Sequence, residues 1–172
     1  MLTFGDSELL LHIAELSVAF AGFAGLASVF REHADRSDIK VDAGRLISML
    51  TTSLLTAIMS LVPLTIDAFR VSSEAAWRIS GLIALLTWIA FVPGGIMRTQ
   101  RMARYEGFSN LMRVINFSLV GLAAVAFIAC AFGLPNVNPG ASYLSGLLAL
   151  LIVSSTLFFR VIVSLLKPHA PE

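Results

Sequence analysis

The sequence predicts an all-α integral membrane protein of five transmembrane helices, a leading helix followed by two helical hairpins that repeat each other in parallel. Three observations predict it. Apolar stretches fill residues 9–30, 46–66, 77–97, 114–133 and 143–166, and about 20 residues rising about 1.5 Å each cross the roughly 30 Å of hydrocarbon in a bilayer. Lys and Arg alternate in number from one connecting segment to the next. Spans two and three align with spans four and five, without a gap, at an offset of 65 residues. The 172 residues make one transmembrane domain, since no tail or loop is long enough to bury a core of its own.

The first span follows a segment, MLTFGDSE, that carries no Lys or Arg. Its apolar run is also longer than the core of a signal peptide, so it reads as a retained helix. Glu8, His12 and Glu15 follow at spacings of four and three, hence on one helical face. Glu15 lies six residues past the start of the apolar run, or roughly 9 Å along the helix. An ionisable group at such depth costs about 2.5–3.5 kcal/mol at a helix centre and usually faces a bundle interior or water. The functional reading makes Glu15 a proton or cation site, with His12 and Asp67 nearby. The plainer reading makes it a neutral or paired acid that pins helix packing. Ser17, Ala21 and Gly25, with Gly22 beside them, form a series of small residues expected to pack closely on another helix.

The segment leading to the second span, REHADRSDIKVDAGR, mixes both signs. Its His33, Glu32 and Asp35 match no standard metal spacing, and Asp38 or Asp42 is expected to cap the next helix. The second span carries Ser48, Thr52, Thr56 and Ser60 four residues apart, then Pro63 and Asp67. Thr52, Thr56 and Ser60 either line an aqueous path with Glu15 or bond to their own backbone and to neighbouring helices. Pro63 removes a backbone hydrogen bond and is expected to kink the helix.

Span three opens on Trp77 and ends in Pro93-Gly94-Gly95, expected to loosen or terminate it. Arg98, Arg101 and Arg104 then share one helical face, which reads as a contact with anionic lipid headgroups. Span four holds Cys130, the only cysteine, which excludes an internal disulfide and reads as a small packing residue. Span five opens on Tyr143. Trp77 and Tyr143 thus fall where amphipathic rings favour a membrane interface, although packing alone would also place them there. The repeat is clearest where Ile79–Leu86 (ISGLIALL) aligns with Leu144–Leu151 (LSGLLALL). Gly81 and Gly146 are then matched points of close helix contact, and the two copies share an orientation about an axis along the membrane normal.

The basic residues of the 31–45 and 98–113 segments, with Lys167, set the N-terminus outside and the C-terminus in the cytoplasm. In general look the chain resembles small bacterial inner-membrane proteins, which gives the expected location. Its charge balance of 12 basic to 11 acidic residues gives no reason to expect nucleic acid. No cofactor motif stands out, and one membrane-embedded histidine without a nucleophile–base set argues against an enzyme. The leading expectation is an oligomeric channel or carrier for protons or small cations. The alternative is a non-conducting scaffold or accessory subunit of a larger membrane assembly.

Overall fold

The computed structural model describes residues 4–30, 36–102 and 110–166. Its five helices are α1 (Phe4–Phe30), α2 (Arg36–Ala68), α3 (Ser73–Met102), α4 (Asn110–Phe132) and α5 (Pro139–Leu166), with no strand among the described residues. Each contains a segment long and apolar enough to cross a membrane: Gly5–Ala27, Leu46–Ala68, Ser73–Gly95, Val114–Phe132 and Pro139–Val163.

Local chemistry sets the helix ends. Ser72 precedes α3, and its Oγ accepts from the Ala75 N–H at 3.4 Å. Asn138 precedes α5, and its side-chain oxygen accepts from the Gly140 N–H at 2.9 Å, with Pro139 at the first helical position. Gly133 ends α4 in the left-handed region (φ 61). Its N–H and that of Leu134 both reach the Ala129 carbonyl, closing a glycine C-cap.

Two expected features are corrected. Proline and two glycines do not end α3, which continues past Pro93-Gly94-Gly95 to Met102. Proline removes one backbone bond and introduces one clash, which a long helix absorbs when the turns on either side are intact. The second helix begins at Arg36, so Asp38 and Asp42 lie inside it and not ahead of it.

Helices α2, α3, α4 and α5 contact one another in a closed ring, α3 also touches α5 across it, and α1 lies against α2 and α5. Among the described residues α2 and α4 do not meet. The interior divides into two apolar clusters. The larger lies toward the Gly5 end of α1 and holds Leu10, Ile13, Met59, Trp77, Phe127, Cys130, Tyr143 and Leu147. The smaller, at the opposite end, joins Ala24, Ala27, Leu46, Met49 and Val161, with Phe20, Phe23, Leu157 and Phe158 against them.

Trp77 and Tyr143 belong to this interior. Both are buried, and their rings lie 5.7 Å apart. Their helices begin four residues earlier, at Ser73 and Pro139, which moves them a full turn inward from the interface the sequence offered. Tyr143 also answers the defect made by Pro63. A proline has no N–H to give the carbonyl four residues before it, here Met59, and the Tyr143 hydroxyl donates to that carbonyl at 2.7 Å.

Candidate functional site

One face of α1 gathers the ionisable groups singled out from the sequence. His12 Nδ1 lies 3.3 Å from Glu15 Oε2, and His12 Nε2 lies 3.9 Å from Glu8 Oε1. The three therefore form a local cluster that a single helix supports, through spacings of three and four that bring side chains over one another. All three point away from the bundle: the side chains of Glu8, His12 and Glu15 are 58%, 62% and 75% exposed. Glu15 is ten residues from Gly5 and twelve from Ala27, near the middle of its apolar segment. In the isolated chain this places a carboxylate at the centre of an apolar surface.

The same face continues beyond Glu15. Ala19, Gly22 and Leu26 extend the series at alternating spacings of four and three, and all are exposed. A methyl group added at Gly22 or at Gly25 would meet nothing within 4 Å. The small-residue series expected to act together is thereby divided. Ser17 and Ala21 are buried while Gly25 is exposed. A step of four residues advances about 40° beyond a full turn, so two steps carry Gly25 off the shared face. Ala24, a step of three from Ala21, takes the inward position and is buried.

The hydroxyls of α2 lie elsewhere. Thr52 donates to the Ser48 carbonyl at 2.8 Å, Thr56 to the Thr52 carbonyl at 2.8 Å, and Ser60 to the Thr56 carbonyl at 2.6 Å. Thr56 and Ser60 are fully buried. Their donors are thus closed onto the helix that carries them, the usual arrangement for hydroxyls within apolar helices. The structure does not bring them together with Glu15, which faces outward. Asp67 is half-buried one residue from the end of α2, where its carbonyl accepts from the Arg70 N–H at 2.9 Å. Its level corresponds to the first turn of α1, on the order of 13 Å along the bundle from Glu15.

Gly81 and Gly146 both pack on α4. A Cβ at Gly81 would stand 2.8 Å from the Ala131 nitrogen and 2.9 Å from Cys130 Sγ. One at Gly146 would stand 2.6 Å from Phe127 Cε1. Cys130 is buried in this contact and donates to the Trp77 carbonyl at 3.1 Å. The helical backbone of α3 extends past Arg98 and Arg101, but their side chains and all of Arg104 lie outside the described residues, as do Glu32, His33 and Asp35. Among the described residues no group of three His, Cys, Asp or Glu converges on a common point that would hold a metal ion.

Sequence reasoning gave Ser17 only as a small packing residue and did not mark Ser53 or Ser154 as site candidates; all three hydroxyls are buried, and their Oγ atoms have no hydrogen-bond partner. Sequence reasoning also missed the use of Tyr143 as the partner of Met59. Pro63 marks Met59 as a carbonyl in need of a donor, but no local pattern identifies a donor 84 residues away. Comparison of the chain with protein-family models, with curated proteins and with solved structures finds no match.

Proposed function

We propose that this chain is an integral membrane protein of the bacterial inner membrane whose protomers associate through the outer face of α1, so that Glu15 and His12 line a path for protons or small cations at the shared interface. The observation that carries the reading is the exposed side chain of Glu15 at the middle of an apolar helix. A carboxylate turned toward hydrocarbon is costly, about 2.5–3.5 kcal/mol at a helix centre, and a surrounding of water or of neighbouring polar helices removes that cost. Ala19 and Gly22 on the same face give a second helix room to approach closely, as small residues do between helices in membranes.

The protomer offers less support for a path through its own centre. Its interior is mostly two apolar clusters, parted by the buried Ser17, Ser53 and Ser154, and the hydroxyls of Thr52, Thr56 and Ser60 donate to their own helix. The path therefore belongs between protomers. The contact pattern also agrees with a duplicated hairpin. Exchanging α2 with α4 and α3 with α5 turns the α3–α4 contact into an α5–α2 contact and the α2–α3 contact into an α4–α5 contact, and all four occur. In this reading α1 is the helix outside the repeat, free to build the assembly. The N-terminus lies outside, and Arg98, Arg101 and Arg104 meet anionic headgroups at the cytoplasmic surface.

The same face of α1 also suits the second reading, in which the chain docks as a non-conducting subunit on a different membrane protein. Ion flux in proteoliposomes under proton and potassium gradients separates the two. Flux that Glu15→Gln abolishes, with the helical fold and the oligomer intact, is the expected result. Absence of flux from the wild type under every gradient, together with a stoichiometric foreign partner from native membranes, would overturn permeation in favour of docking.

A further inference from the structure

The two apolar clusters do not run into one another, and what separates them is polar on three helices at once. On α1, Ser17 stands between Ile13 of one cluster and Phe20 of the other. On α2, Ser53 stands between Met49 and Met59, and on α5, Ser154 stands between Leu150 and Leu157. These three helices all contact one another. Ala27, Leu46 and Val161 share the smaller cluster and so give a common reference level. Ser17 is ten residues from Ala27, Ser53 seven from Leu46, and Ser154 seven from Val161. Three residues of difference are about 4.5 Å of rise, so along the bundle axis the three serines lie within about one helical turn of one another.

All three serines are fully buried, and none of their Oγ atoms has a partner. Other helical hydroxyls of the chain behave differently. Those of Thr52, Thr56, Ser60, Ser80, Thr87 and Ser145 all donate to the carbonyl four residues earlier. The serines of this layer have the same carbonyls within reach along their own helices and do not use them, which leaves their donors and acceptors for something at the junction.

We propose that Ser17, Ser53 and Ser154 form an internal hydration site at the junction of α1, α2 and α5, which takes one or a few ordered water molecules. Water fits the chemistry of the layer. It donates and accepts, as hydroxyls do, and a buried water typically makes about three hydrogen bonds to groups that would otherwise go unpaired. A cation fits poorly, since three neutral hydroxyls supply neither the charge nor the number of ligands that replace a hydration shell. The site ties α1 to the ring of four helices through polar contacts at a fixed level, and it stands independently of any path along the outer face of α1.

The test is water-to-protein magnetisation transfer in solid-state NMR on the full chain in deuterated lipid bilayers. Transfer to the Cβ signals of Ser17, Ser53 and Ser154 is expected to build up several-fold faster than transfer to Ala24 and Leu147, which are buried in the flanking clusters. Equal and slow build-up at all five positions would overturn the proposal, as would equally fast build-up throughout the interior. Stability gives a second readout. If the hydroxyls share water, Ser17→Ala and Ser53→Ala each lower the unfolding midpoint by about 2–4 °C, and the double variant loses less than the sum. Neutral or stabilising effects that add independently would show unpaired hydroxyls relieved by removal, and would overturn it.

Discussion

Gly81 and Gly22 each interrupt an apolar helix, and their surroundings are opposite. A methyl group on Gly81 would meet the backbone nitrogen of Ala131 at 2.8 Å and the sulfur of Cys130 at 2.9 Å, whereas one on Gly22 would meet nothing within 4 Å. The first glycine belongs to a finished contact, where α3 and α4 approach so closely that only hydrogen fits. The second lies on an open face of α1 that also carries Glu8, His12 and Glu15. Gly81, like Gly146, sits in a contact with α4 that is closed within one chain. The outer face of α1 has the composition of a helix contact without an occupant from the same chain. On the proposed reading, in which helices in a bilayer associate through small residues and polar groups, the closed contact at Gly81 serves the fold of the protomer and the open face around Gly22 serves its assembly.

The largest effect is expected on the packed side. Gly81→Ala places a methyl group against backbone, which cannot rotate away, and overpacking of that kind sits at the upper end of its range, about 3 kcal/mol. Thermal unfolding in detergent should show a drop large enough to reduce the yield of folded protein. A Gly81→Ala protein as stable as the wild type would break the comparison, because α3 and α4 would then be free to separate.

The next effect sharpens the description of the same side. Tyr143→Phe keeps the ring between Trp77 and Phe127 and removes only the donor to the Met59 carbonyl, at an expected cost of about 1 kcal/mol. The cost should depend on Pro63. In a Pro63→Ala background the helix regains an N–H for Met59, so Tyr143→Phe should cost much less there than in the wild type. A cycle of the four proteins, measured by the same unfolding assay, isolates that coupling. Additive costs would show that the hydroxyl does not repair the proline gap.

How far each region could be read in advance follows from the range of the physics involved. Five helices and their approximate limits were legible because hydrocarbon thickness fixes how many apolar residues are required, and that signal is local. The clustering of Glu8, His12 and Glu15 was legible too, since spacing along one helix determines it. The direction in which that face points was not. Whether Glu15 turned into the bundle depended on how α1 rotates against α2 and α5, and rotation is set by packing partners far away in sequence. Thr56 and Ser60 turn inward while Glu15 turns outward for the same reason. Trp77 and Tyr143 show the limit from the other side. Their position near span ends suited an interface, but the helices extend a turn further, and the rings serve the core. The gap between two apolar clusters, with Ser17, Ser53 and Ser154 in it, leaves no mark on any single helix, where each serine is one polar letter in an apolar run.

The smallest effect on the fold is expected on the open side, and it is the sharpest test of what that side is for. Gly22→Ala meets no neighbour in the protomer and replaces a residue that weakens helices by roughly 0.5–1 kcal/mol relative to alanine. The unfolding midpoint of the protomer should therefore stay the same or rise slightly. Gly22→Leu adds more bulk to the same open face and should again leave the protomer folded. In lipid the two variants should part company, because a face that receives a second helix at close range tolerates one methyl group far better than a branched side chain. Cross-linking or single-molecule photobleaching in bilayers would read the outcome as a shift from oligomer toward monomer, stronger for Gly22→Leu than for Gly22→Ala. An oligomer indifferent to both substitutions would move the contact off this face, and the exposure of Glu15 at mid-helix would then need a partner other than a second copy of the chain.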